Sequence, residues 1–357
     1  MNEHNPLRRL TEHALFWPAV VLVLLLALNL VVNPGFFRVE VRDGRLYGSL
    51  IDILNRASPL IIVSLGMCVV IATRGVDISV GAVVAISAAV AAYLVSGEST
   101  FVNGQSVYVP KVPLLVAFAV AIAISVLCGL WNGVLVAGVG MQPIIATLIL
   151  MVAGRGIAQL ITNGQIITVY YKPFHFIGNG YIAGLPFALY LAAALFIVMA
   201  ALKTRTALGL FIQAGGINPA AARLSGINAR GILIAVYGFC GATAGLAGLI
   251  ISSNVKSADA NNAGLMLELD AILAVVLGGT SLAGGRFSLR GTVIGALIIQ
   301  TLTTTIYSMG VPPEINLVVK ALVVFAVCVI QSDFSHQLAQ SALGRLLSRN
   351  TGRRATT

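Results

Sequence analysis

The sequence predicts an all-α protein: a polytopic integral membrane bundle of about ten transmembrane helices, with both termini cytoplasmic. Three observations carry that expectation. Of the 357 residues, 58% are hydrophobic and only 10% are charged, whereas soluble domains average about 25% charged. Mean hydropathy is +0.96, and the apolar residues gather in runs near the ~20 that a helix needs to cross a bilayer. The 37 Gly and 12 Pro would spoil a soluble helical core, but they suit membrane helices, whose backbones approach closely through small residues. These features exclude a soluble enzyme, a disordered chain and a nucleic-acid-binding domain, so nucleic acid is not expected as a partner. The net charge of +10 is spread over loops and tails and reads as a topology signal.

In chain order the candidate spans are 16–32, 59–73, 79–96, 113–137, 143–162, 186–202, 231–252, 268–283, 291–309 and 315–331. The first is followed by Asn33-Pro34-Gly35-Phe36, not by the small-residue cleavage site of a signal peptide. The second and eighth are short enough to be broken or tilted. Proline opens several spans, where its missing N–H costs nothing. Residues 1–14 then form a cytoplasmic tail, 15–332 the membrane domain with a cytoplasmic loop at 203–230, and 333–357 a basic cytoplasmic tail. An even number of spans puts both ends on one side. That side holds 13 Lys and Arg against 7 on the other, the bias of a cytoplasmic face. The first opposite loop, 33–58, runs against the bias with four arginines, but its Glu40, Asp43 and Asp52 suit a folded external segment.

Cys68, Cys128, Cys240 and Cys328 each sit in an apolar run without CxxC spacing, and the four histidines lie far apart. The cysteines read as small buried hydrophobes, and no metal site is expected. No GxxxxGK[ST], HExxH or GxSxG occurs, so a phosphate loop and the familiar hydrolytic motifs are missing. If ATP drives this protein, the ATPase is another chain.

Charges inside spans are informative, because each costs about 2.5–3.5 kcal/mol at a helix centre on an insertion scale. Arg155 lies in the fifth span and Lys320 in the tenth, Glu268 and Asp270 open the eighth, and Asp77 occupies the turn before the third. With Trp131, Asn132, Gln142, Asn261 and Asn262, they form a candidate pathway for a hydroxylated solute. Amides and carboxylates there would hydrogen-bond hydroxyls beside an aromatic face. Plainer accounts stand next to this one: ion pairing or snorkelling for Arg155 and Lys320, helix capping for Asp77, a favourable helix start for Glu268 and Asp270, and interface packing for Trp131 and Asn132. Glu268 and Asp270, at i and i+2, face apart and make no acid pair.

Two glycine-rich turns, at 75–81 and 285–291, precede spans that enter from the same side, which hints at an internal repeat. Between them, Asn218-Pro219 signals a helix start and Ser225-Gly226 its end. The product is a short helix of small residues at the inner face, a surface for a partner to dock on.

Together these segments resemble the permease subunits of ribose-type sugar ABC importers, over about residues 15–332. The likeness rests on 75–81 (GVDISVG), 129–133 (GLWNG), 142–148 (QPIIATL), 215–226 (GGINPAAARLSG) and 270–286 (DAILAVVLGGTSLAGGR). Segments 43–56, 147–162 and 257–270 are similar to the galactofuranose-importer branch of that family. The resemblance implies a division of labour. A periplasmic sugar-binding protein delivers a monosaccharide: galactofuranose, or else ribose or another pentose or hexose. Two permease chains in the bacterial inner membrane, this one with a different chain or a copy of itself, form the pathway through the lipid bilayer. A cytoplasmic ABC ATPase holds ATP and Mg, so this chain binds no cofactor and is not itself an enzyme. The resemblance places the ATPase-coupling segment on Gly215, Gly216, Asn218, Pro219, Ala221, Arg223 and Gly226. An ion-coupled secondary sugar transporter would instead need a carboxylate that cycles a proton, with Asp77, Glu268 and Asp270 available.

Overall fold

A computed structural model of the chain describes residues 15–33, 35–42, 44–102, 105–310, 312, 315, 317–322 and 325. The expected tails, Cys328 and much of the tenth span lie outside the described residues. Among the described residues, twelve α-helices with both ends described follow in order: α1 (Phe16–Val32), α2 (Ser49–Ala72), α3 (Val80–Val95), α4 (Leu114–Val134), α5 (Pro143–Ile161), α6 (Phe176–Asn179), α7 (Phe187–Arg205), α8 (Ala207–Ile217), α9 (Pro219–Leu224), α10 (Ala229–Val255), α11 (Leu267–Leu277) and α12 (Leu289–Ser308). Six of them, α2, α4 with a π turn that extends it to Val139, α5, α7, α10 and α12, are long and apolar enough to cross a membrane. α1 and α3 are shorter apolar helices. The fold is a polytopic helical membrane bundle.

Short strands crowd one end of the bundle. β1 (Glu40–Arg42) pairs with β2 (Arg45–Tyr47), β3 (Glu98–Val102) with β4 (Gln105–Val109), β5 (Ile167–Thr168) with β8 (Ser257–Ala258), and β6 (Tyr181–Ile182) with β7 (Leu185–Pro186), all antiparallel. The first and last pairs touch where the Leu46 N–H donates to the Gly184 carbonyl at 3.0 Å. This is the hairpin end. The turn 73–79, α8 and α9 lie at the other, called the coupling end because it carries the segment expected to couple.

α10 is the hub, packed against α2, α3 and α4. Its seam with α4 sets Gly238, Gly241 and Gly245 against Ser125, Gly129 and Gly133, and a side chain on Gly129 would strike the Tyr237 carbonyl. Such small-residue seams let membrane helices approach closely. α2 and α3 are buried almost throughout, whereas α4, α5 and α7 leave an apolar face bare. α1 is latched to α12 by Asn29, whose amide donates to Thr305 Oγ1 at 2.7 Å and to the Leu25 carbonyl of its own helix at 2.8 Å.

Two sequence expectations change. The second span is not short: α2 has 24 residues, starts at Ser49, and carries Pro59 inside it. Asp52 and Arg56 therefore belong to a helix, not to the external loop. The proline and the two charges mask its first turns, which neighbouring elements keep helical. What remains of the loop folds as the β1–β2 hairpin, where Glu40 pairs with Arg38 at 3.1 Å and Arg42 at 2.5 Å. The eighth span is shorter than expected: α11 has 11 residues and ends at Leu277.

Candidate functional site

α2 stops at Ala72 and α3 begins at Val80, so 73–79 runs through the bundle as irregular backbone. Such backbone is tolerated within a membrane protein only where protein or a polar cavity surrounds it. Here it is protein. Asp77 is 1% exposed, and its Oδ1 accepts from the Ser79 N–H at 3.0 Å and the Ser79 hydroxyl at 2.6 Å. Asp77 thus closes an Asx turn ahead of α3, while Ser79 occupies the N-cap position. Asn132 of α4 donates to Ser79 Oγ at 2.9 Å and to Asp77 Oδ1 at 3.4 Å. Thr147 of α5 accepts from the Ile78 N–H at 3.3 Å, and Tyr237 of α10 donates to the Val76 carbonyl at 3.4 Å. Three helices close a polar knot around the turn. Thr147 and Tyr237 carry no local signal in the sequence, because their partners lie 69 and 161 residues away.

A second irregular segment, 256–266, leads into α11 from the hairpin end. Arg155 of α5 braces it, donating to the carbonyls of Ala260 at 3.0 Å and Ala263 at 2.7 Å. Gln159, one turn further along α5, donates to Asn261 Oδ1 at 2.7 Å. Asp259 gathers the Asn261 N–H at 2.9 Å, the Asn262 N–H at 3.2 Å and the Asn262 amide at 2.7 Å. Those donors, the Asn262 side chain foremost, hold the Asp259 carboxyl below its ordinary value. Asn261 and Asn262 are exposed. Glu268 is 8% exposed, and its Oε2 has no hydrogen-bond partner.

The two segments meet. A side chain on Gly81 would strike both the Gly264 carbonyl and the Glu268 carboxylate, so α3 and the entry to α11 touch through backbone. The structure therefore brings Arg155, Asn261, Asn262 and Glu268 to one face and Asp77 with Asn132 to a closed knot beside it. It does not bring Trp131 to Asn132: the indole points away and is 56% exposed. Gln142 is exposed ahead of α5. Asp270 and Lys320 are partners, with Nζ 2.8 and 3.1 Å from the carboxylate oxygens.

At the coupling end, Asn218 Oδ1 accepts from the Ala220 and Ala221 N–H groups, both at 3.1 Å, with Pro219 opening α9. Gly226, at φ +81°, ends the turn after it. Ala221 and Arg223 are exposed, and Leu224 is 91% exposed, an apolar tip that the sequence motif did not single out. Gly215 faces open space, whereas Gly216 packs so tightly on the Ala72 carbonyl and Gly285 that no side chain fits. The Arg74 guanidinium donates to the carbonyls of Gly216 and Ile217, each at 2.5 Å. The Gly285 N–H donates to the Ala72 carbonyl at 2.8 Å. The end of α8 and the two glycine-rich turns are thus joined at one point.

A polytopic bundle with two interrupted helix entries and an exposed helical platform at one end has the build of a membrane permease. The chain belongs to the family described as the branched-chain amino acid transport system / permease component, whose model matches residues 49–328. It is 49% identical to the galactofuranose transporter permease protein YtfT of Escherichia coli (strain K12), over 89% of this chain and 91% of that one. It is 37% identical to the fructose import permease protein FruF of Bifidobacterium longum (strain NCC 2705), over 94% of this chain and 92% of that one. It is also 37% identical to the ribose import permease protein RbsC of Escherichia coli (strain K12), over 88% and 92% of the two chains. No solved structure matches the chain.

Proposed function

We propose that this chain is the membrane-spanning subunit of an ATP-driven importer in the bacterial inner membrane, and that its cargo is galactofuranose. The 49% identity along 89% of the chain to a galactofuranose permease supports that cargo. One observation carries the mechanical reading: Arg74 ties the exposed α8–α9 platform to the turn that folds around Asp77.

In this reading the hairpin end faces the periplasm, and the coupling end and both termini face the cytoplasm, in keeping with the Lys and Arg bias. A periplasmic sugar-binding protein docks on the hairpins. A cytoplasmic ATPase, which holds ATP and Mg, receives α9 with Leu224 at its tip. A second permease, a different chain or a copy of this one, covers the bare face of α4 and α5, including Trp131. Lipid covers the remaining apolar surface. ATP binding moves α8 and α9. Arg74 carries that movement to 73–79 and α3, and the Gly285–Ala72 bond carries it to α12. Gly81 then shifts against Gly264 and Glu268, so both interrupted entries respond together. Gln142, Arg155, Asn261, Asn262 and Glu268 supply donors and acceptors to the passing sugar, while Asp77, Asn132, Asp270 and Lys320 hold the helices in place. A ligand shifts such an equilibrium only by differential affinity for its states, so ATP and the loaded binding protein each favour a different one.

A mild-detergent pull-down with mass spectrometry tests the assembly. The expected companions are a chain with two phosphate-loop motifs and a second permease; recovery of this chain alone after gentle crosslinking overturns the importer reading. Sugar uptake into proteoliposomes should require ATP and survive a protonophore. Uptake that needs no ATP and collapses with the proton gradient points to ion coupling instead. Arg74→Ala should keep the ATPase bound yet cut uptake about 5–150-fold, the span of typical coupling energies. Unchanged uptake removes Arg74 from the linkage.

A further inference from the structure

We infer that a cavity at the hairpin end, between α2, α10 and α12, is a monosaccharide-binding site held within this one chain, separate from the face formed by Arg155 and Asn261. The inference rests on the reading that the chain carries sugar. The cavity measures about 840 Å³, within the ~300–1,000 Å³ of small-molecule sites. Asp52, Asn55 and Arg56 line it from α2, Gln300 and Thr304 from α12, and Tyr181 from the β6 strand.

The chemistry of that wall selects a neutral hydroxylated solute. Asp52 only accepts hydrogen bonds and Arg56 only donates them. The ion pairs among the described residues engage neither, so the wall carries one charge of each sign and favours no net ion. The Asn55 side-chain oxygen is buried without a partner. Pro59, inside α2, has no N–H to offer the Asn55 carbonyl four residues back. The Asn55 side-chain oxygen is thus an acceptor that α2 does not satisfy, and an unpaired buried polar group is costly. Sugar hydroxyls donate to Asp52, accept from Arg56 and from the Gln300 amide N–H that Thr304 leaves over, and reach the Asn55 oxygen when its side chain turns toward the cavity. The Tyr181 ring and Pro59 offer apolar surface to the C–H face of the sugar.

The test places a reporter in the wall. Thr304→Cys in the assembled importer is labelled from outside with a membrane-impermeant methanethiosulfonate, with the unsubstituted chain as background for Cys128, which is partly exposed, and for Cys328; Cys68 and Cys240 are buried. D-galactose and D-ribose are the probes, with potassium chloride of equal osmolarity as control. Either sugar should slow labelling by the factor 1 + [L]/Kd, about tenfold at nine times Kd. Adding Asn55→Ala and Gln300→Ala should abolish the protection and leave the labelling. Labelling that neither sugar slows makes the cavity a water-filled vestibule, and absence of labelling makes it closed to the outside; either overturns the inference. Uptake by the unsubstituted importer separates the two readings. Uptake without protection sinks this site alone, whereas no uptake of any monosaccharide sinks the sugar-carrier reading and this site with it.

Discussion

The turn at 73–79 and the segment at 256–266 both lead into short helices, α3 of 16 residues and α11 of 11, yet they are held in different ways. Side chains from α4, α5 and α10 converge on the first and bury it. The second is tied at its start by the β5–β8 pairing and then braced by α5 through Arg155 and Gln159, with its asparagines exposed. The difference teaches where rigidity and adaptability lie. A sealed turn passes on a push without changing shape. A segment whose asparagines stay exposed can rearrange its amides around a solute.

Substitutions can break this contrast or sharpen it, and the largest effect is expected beside the second segment. Lys320→Met leaves Asp270 unpaired at the start of α11 and should cost about 3–5 kcal/mol. Lys320→Met with Asp270→Leu should recover most of the loss. Thermal unfolding of the detergent-solubilised chain checks this, and a double variant as unstable as the single would mean that the pair does not act as one. Asp77→Ala strips the acceptor from Ser79, while Asn132 keeps its bond to Ser79 Oγ, and should cost about 1–3 kcal/mol in all. Asp77→Asn keeps an oxygen there and should lose less than half as much. Equal losses would show that the charge, not the hydrogen bonding, holds the knot. Arg155→Ala frees two carbonyl acceptors, which are more often left under-satisfied than N–H donors, and should cost less than Asp77→Ala while making 256–266 quicker to cleave by added protease. A larger loss at Arg155 than at Asp77 reverses the contrast.

The smallest effect is expected at Asp259. Its carboxyl is held below the ordinary 3.8, first by the Asn262 side chain. A depressed folded pKa stabilises above the ordinary carboxylate value, and that stabilisation fades as pH falls through the folded value. At so exposed a site water keeps the gain under about 1 kcal/mol. Asp259→Asn should flatten this acid limb and do little at neutral pH. An unchanged acid limb in pH-dependent melting would show that Asp259 contributes nothing.

Features written in neighbouring residues were legible in the sequence. α9 opens at Asn218-Pro219 and ends ahead of Ser225-Gly226, because its cap and stop are set by adjacent side chains. The shortness of α11 was legible too, although not its end at Leu277. The start of α2 was not, since Pro59, Asp52 and Arg56 interrupt the apolar run and burial by distant elements outweighs them. The likeness of 75–81 and 285–291 was visible, but not that Arg74 and Gly285 would join them to α8. That junction depends on residues 142 positions apart. Trp131 and Asn132 looked like a sugar-binding pair in composition, yet adjacent residues on a helix do not share a face. Lys320 and Asp270 offered no clue to each other, being 50 residues apart.

The Asn29–Thr305 latch has a consequence for how the protein is made. Its two ends are 276 residues apart, which take about 15–55 s to synthesise at ~5–20 residues per second. For that interval α1 stands in the bilayer with its partner helix unmade. The bond from Asn29 to the Leu25 carbonyl occupies part of the amide meanwhile, but the rest faces hydrocarbon. A chain interrupted before α12 never gives the second amide N–H its Thr305 partner.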